Sequence, residues 1–130
     1  MALILDTSFI VAAEREARRR QIGRTHEFLS QNGDEEFFIT FTVAGELACG
    51  DSASAREAWE KLLRPYAMIP WDRDVSFAYG NAYRTLAASG KLIGTNDLWI
   101  AATALRHDLG VVTDNTKDFS RVRGLKVVSF

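Results

Sequence analysis

Four acidic side chains stand where one element of structure gives way to the next, and their type limits the chemistry open to them. Asp6 follows the apolar run Leu3-Ile4-Leu5, and Asp114 follows Val111-Val112-Thr113. An aspartate directly after a buried parallel strand lies outside the strand's carboxyl end, where the ligand crevice of an open parallel sheet forms. Glu46 falls about one turn into the helical segment after a second strand, and Asp97 falls in the first turn of a helix running to His107. All four are therefore expected at one edge of a sheet. At about 4 Å and an effective dielectric near 20, each like-charged pair costs roughly 4 kcal/mol. A divalent cation removes that cost, and oxygen-only ligands suit magnesium or manganese rather than zinc. Such an ion polarises a phosphoryl oxygen, activates water and stabilises a leaving group.

Each residue also has a plain structural role open to it. Asp6 could cap the following helix, Asp97 could complement a helix dipole, and Asp114 could belong to a turn. Glu46 is the most telling, because a helix face written Ala44, Leu47, Ala48 tolerates almost any residue there. Asn96 could cap its helix or touch the site. His26 and His107 lack a nucleophile or ligand partner at a telling spacing, and Trp59, Trp71 and Trp99 are expected in the core or an interface.

The elements that must position these groups alternate. Strands are expected at Ala2–Leu5, 37–40, Ala67–Ile69, 111–113 and 126–128, from short apolar runs bounded by turn residues. Between them, helices are expected from Ser8 onward, over 25–31, over 43–48 closed by Gly50, and from Ala55 to a stop at Pro65. Asp72 or Asp74 could cap a helix turning Val75, Tyr79, Ala82, Tyr83 and Leu86 inward, with Gly90 beyond its end. Thr95 or Asn96 then caps the helix that reaches His107. Helices between successive strands give an α/β fold with a mainly parallel central sheet and flanking helices, in one domain over 1–130.

The 130 residues are 47% hydrophobic and 25% charged, ordinary for a water-soluble globular domain. The lone Cys49 forms no internal disulfide and is expected as a small buried hydrophobe. No apolar run is long enough to span a bilayer, so no membrane association and a cytoplasmic location are expected. Net charge is −1, so nucleic acid would need a local basic patch, a bound cation or a second subunit. Arg15, Arg18, Arg19, Arg20 and Arg24, interspersed with Glu14 and Glu16, read as a solvated helix face rather than a phosphate patch.

Leu5-Asp6-Thr7-Ser8 resembles the opening motif of the PIN-domain nucleases. The resemblance continues at Ala44-Gly45-Glu46-Leu47 and becomes specific over Gly94-Thr95-Asn96-Asp97-Leu98-Trp99-Ile100-Ala101. It closes with Val112-Thr113-Asp114-Asn115-Thr116-Lys117-Asp118-Phe119 and spans the whole chain. Size and motifs look most like VapC toxins of type II toxin–antitoxin pairs. The resemblance implies a PIN-like fold and Mg2+- or Mn2+-dependent endoribonuclease activity, with a metal-activated water as nucleophile. It also implies a homodimer and a small VapB-like antitoxin partner. Asp6, Glu46 and Asp97 match the family's acids, with Ser8 (where many relatives carry Asn) as a polar group supporting the site; Asn96, Thr113 and Asn115 stand beside these motifs as supporting or alternative positions.

The fourth acid is open between Asp114 and Asp118. Asp114 is preferred, because a strand anchors its backbone, whereas Asn115-Thr116-Lys117 gives no sign of regular structure before Asp118. Two other functions compete. A phosphatase of related fold needs a second aspartate two residues after the first, where this chain has Ser8. A non-catalytic binding module would have lost the acids, which this chain retains.

Overall fold

The computed structural model describes residues 2–130. Five strands, β1 (Ala2–Leu5), β2 (Glu36–Thr40), β3 (Ala67–Ile69), β4 (Gly110–Val112) and β5 (Val127–Val128), form one sheet in the order β3-β2-β1-β4-β5. Every pairing is parallel, so the sheet is wholly rather than mainly parallel. Leu3, Ile4 and Leu5 point to alternate faces and all are at most 4% exposed, as are Val111 and Val112. Burial on both faces explains why these strands are continuous apolar runs. From β1 the chain moves outward to β2 and β3, then returns to the other flank of β1 with β4 and β5. Asp6 thus stands at the point where strand order reverses, the usual place for a ligand crevice.

The helices are α1 (Thr7–Arg18), α2 (Arg24–Gln31), α3 (Phe41–Ala48), α4 (Arg56–Leu63), α5 (Arg73–Ala88), α6 (Thr95–His107) and the single turn α7 (Thr116–Phe119). Asp6, Thr40 and Asp72 cap α1, α3 and α5 by accepting from the backbone of Thr7, Val43 and Val75. The Thr40 cap starts α3 two residues before the expected Val43. α5 lies along α6: Tyr79 stacks on Trp99 with centroids 4.0 Å apart, and Arg106 reaches Asp72 and Asp74 at 3.7 and 3.2 Å.

Several expectations are corrected. The N-cap of α6 is Gly94, with no capping side chain, so Thr95 and Asn96 sit inside the first turn. Tyr83 is 45% exposed rather than inward, because the buried stripe of α5 is Val75, Ala82 and Leu86. Cys49 is exposed, just past the end of α3. Trp71 is also exposed and donates to the Ser76 hydroxyl, whereas Trp59 packs on the core and donates to the Ala44 carbonyl. β4 begins at Gly110 and ends at Val112, leaving Thr113 just beyond it, and β5 begins at Val127. The segment after Thr113 is not irregular throughout, since α7 forms within it. Among the described residues, no helix is long and apolar enough to cross a membrane.

Candidate active site

Asp6 is the buried anchor, 5% exposed, with both carboxylate oxygens occupied. The Thr7 N–H donates to Oδ1 at 2.8 Å, and the Ser8 and Thr113 hydroxyls donate to Oδ2 at 3.1 and 2.7 Å. These donors offset the loss of water that burial imposes on a polar group. The Asp6 backbone N–H also reaches the Val112 carbonyl at 2.9 Å, which extends the β1–β4 ladder and fixes Asp6 beside Thr113.

Glu46 projects from α3 toward this anchor. The Thr7 hydroxyl donates to its Oε1 at 3.0 Å, and the Asn96 side chain bonds it as well. Burial pushes the Glu46 carboxyl above its usual range, with Asp6 adding to the effect, while Thr7 and Asn96 act in the opposite direction.

Asp97, in the first turn of α6, is the most perturbed of the group. Its carboxyl is pushed up to about 6, first by burial and then by Asp6, Glu46 and Asp118, with the Asn115 amide opposing. Asn115 Nδ2 donates to Oδ2 of Asp97 at 3.3 Å and to Oδ2 of Asp118 at 3.2 Å. The Asn115 backbone N–H is held by the Thr113 hydroxyl at 2.9 Å. One hydrogen-bonded chain therefore runs from Asp6 through Thr113 and Asn115 to Asp97 and Asp118.

The structure thus brings Asp6, Glu46, Asp97 and Asp118 together, and leaves Asp114 out. Asp114 is exposed, and its carboxylate has no hydrogen-bond or ion-pair partner among the described residues. What it contributes is its backbone N–H, donated to Ser8 Oγ at 3.3 Å. The reason is α7: its turn folds the loop back, buries Phe119 completely and carries Asp118 inward. Arg121 approaches the other oxygen of Asp118 at 3.8 Å. Ser8, Asn96, Thr113 and Asn115 all touch the cluster. Thr7 was missed; its only signal is adjacency to Asp6, since the glutamate it holds lies 39 residues away.

Such a cluster can take up a proton near pH 6, at Asp97. Its ligand atoms are carboxylate oxygens with hydroxyl and amide neighbours, and neither His26 nor His107 bonds to it. As the side chains are posed, no three Asp, Glu, His or Cys groups among the described residues are close enough together to hold a metal ion between them. The arrangement is an acidic edge of four carboxylates.

Residues 3–125 match the family model of the PIN domain. The chain is 30% identical over 138 residues to ribonuclease VapC1 of Rickettsia felis, an alignment covering 99% of this chain and 96% of that one. Its fold is like that in the crystal structure of VapBC2 from Rickettsia felis bound to a DNA fragment from their promoter, with TM-score 0.81 and 24% identity, covering 100% of this chain and 99% of the other. It is also like VapBC-1 from nontypeable Haemophilus influenzae, with TM-score 0.76 and 25% identity, covering 99% and 98%.

Proposed function

The chain belongs to the PIN domain family, and we propose that it is a Mg2+- or Mn2+-dependent endoribonuclease, the toxin of a VapBC-type toxin–antitoxin pair. The observation that carries the reading is the convergence of Asp6, Glu46, Asp97 and Asp118, where burial first and the neighbouring carboxylates second push the Asp97 carboxyl up to about 6. Full-length similarity to VapC ribonucleases supports RNA as the substrate.

The donor set suits a hard divalent ion, because it offers oxygen alone and carries more negative charge than Arg121, 3.8 Å from Asp118, can offset. Magnesium keeps several waters and needs only one or two carboxylates, so an open edge without a closed cage is compatible with it. Asp97 and Asp118, joined by Asn115, and Asp6 and Glu46, joined through Thr7, are the groups that would hold it. When bound, the ion would supply an activated water and charge stabilisation at the phosphate. The chain's own part is to fix these carboxylates: Thr7, Ser8 and Thr113 orient Asp6, and Thr7 with Asn96 orients Glu46. Asp118 rather than Asp114 serves as the fourth acid.

The test is cleavage of total cellular RNA by purified protein, with and without chelator, alongside single variants. Asp97→Asn and Asp118→Asn should lower cleavage at least about a hundredfold, while Asp114→Asn stays within about threefold. Undiminished cleavage in excess chelator would sink the metal mechanism, and a larger loss in Asp114→Asn would reverse the fourth assignment. The toxin role carries a VapB-like antitoxin and a homodimer with it. Expression alone should arrest growth, and co-expression of a small cognate partner should relieve the arrest. Harmless expression of active enzyme would count against that role.

A further inference from the structure

Asparagine at the N-cap of a helix ordinarily bonds the helix's own first-turn N–H groups. Asn115 is the N-cap of α7 and makes no such bond. Its amide turns instead to two carboxylates on separate elements, Asp97 of α6 at 3.3 Å and Asp118 of α7 at 3.2 Å. The loop does not need that amide for its shape. Its backbone is already held by Asp114 N–H to Ser8, by Asn115 N–H to Thr113, and by Phe119 N–H to the Asn115 carbonyl, with the Phe119 ring fully buried. An NH2 group donates twice, and here each donor faces an anion. One neutral group therefore spans two carboxylates on separate elements, while Arg121 approaches the other oxygen of Asp118 at 3.8 Å.

We propose that Asn115 is a positioning residue, whose side-chain amide clamps Asp97 and Asp118 in a single pose ready for a divalent cation. The proposal rests on the metal-dependent reading above and adds a residue that is neither an acid nor a ligand. Groups behind metal ligands commonly change metal affinity by about 10–100-fold when removed. Asn115→Ala keeps every backbone bond of the loop and deletes only the clamp.

The experiment is calorimetric titration of wild-type protein and Asn115→Ala with Mg2+ alone, without RNA. It is paired with steady-state RNA cleavage and with ¹⁵N NMR of the wild-type Asn115 side chain. Folded Asn115→Ala should bind Mg2+ at least about tenfold more weakly. Its kcat at fixed, subsaturating Mg2+ should fall while KM for RNA stays within about twofold. In wild type, the Asn115 NH2 resonances should move with the same midpoint as Mg2+ binding. Should Asn115→Ala fail to fold, that resonance decides alone. Mg2+ affinity within about threefold of wild type, or NH2 resonances that stay still while Mg2+ binds, overturns the clamp. If wild type itself binds no Mg2+, the metal reading falls and the clamp with it. Normal wild-type binding with an indifferent variant overturns the clamp only.

Discussion

At the scale of single residues, the acidic cluster sets a cost that the metal-free protein carries. The Asp97 carboxyl has an ordinary value near 3.8 and is held at about 6 in the folded chain. Between those values the folded state keeps a proton that the unfolded state has released, so stability falls as pH rises through that window. Below it Asp97 is neutral in both states and contributes nothing; above it the whole penalty is present. Glu46 is shifted in the same direction and adds to the slope. Asp97→Asn should therefore stabilise the metal-free protein at pH 7.5 by on the order of 1–2 kcal/mol, after discounting for partial exposure. The gain should vanish near pH 4 and shrink in saturating Mg2+. Thermal melts at the two pH values check this, and a variant less stable than wild type at pH 7.5 without metal would refute it. Asp6 and Asp97 were legible in the sequence because a strand end and a first helical turn are local features, and Glu46 because it is a lone acid among the small and apolar residues of α3. Asp118 was legible only as the alternative to Asp114, since a four-residue helix is too short to leave a periodic pattern. The role of Thr7 was not legible, because the partner of its hydroxyl is set by the crossing of α1 and α3.

At the scale of elements, the helices differ in how their first turns are satisfied. α1, α3 and α5 are capped by the Asp or Thr just ahead of them, a signal readable from neighbouring residues. α2 begins after Gly23, which has no side chain to offer, and Glu16 of α1 takes over. Its Oε1 accepts the Gly23 N–H at 3.1 Å and the Thr25 hydroxyl at 2.8 Å, and its Oε2 accepts the Thr25 N–H at 3.2 Å. Thr25 is 3% exposed, so water cannot readily replace the carboxylate there. Within the run Glu14-Arg15-Glu16, that residue reads as one more surface charge, because its partners lie beyond a turn that sequence pattern does not place. Glu16→Ala should cost about 1–2 kcal/mol, the range of a lost cap plus a stranded buried hydroxyl. Gly23→Ala should act through the same group, since a Cβ there would come within 2.6 Å of Glu16 Cδ. Denaturant unfolding measures both, and a change under about 0.3 kcal/mol in Glu16→Ala would show that solvent caps α2 as well as the carboxylate does.

At the scale of the whole molecule, the question is how a chain of net charge −1 would hold the RNA proposed as its substrate. The α/β alternation and parallel sheet were legible from short apolar runs between helical segments, and the sheet's order then decides which charges can share a substrate. α1 leads away from Asp6, so its far end lies about 18 Å from Asp6 along the helix at 1.5 Å per residue. Arg15, Arg18, Arg19 and Arg20 are all exposed at that end, and of these four only Arg18 has a carboxylate partner among the described residues, Glu14 at 3.8 Å. Distance argues that an RNA seated on Asp97 and Asp118 gains little from this run. Screening reinforces the point, since charges farther apart than about 8 Å interact weakly at physiological salt. If cation-assisted contact at the acidic edge does most of the work, few phosphates are neutralised by side chains, and affinity should depend weakly on salt. For single strands each neutralised phosphate contributes about −0.7 to the slope of log K against log salt. We therefore expect RNA binding by an inactive Asp97→Asn protein to show a slope no steeper than about −3. The double variant Arg19→Glu, Arg20→Glu, made in the active background, should keep kcat/KM within about threefold of wild type at 150 mM salt. A slope near −6, or a tenfold loss in the double variant, would place the α1 arginines on the RNA path and reverse the reading of that run as a solvated face.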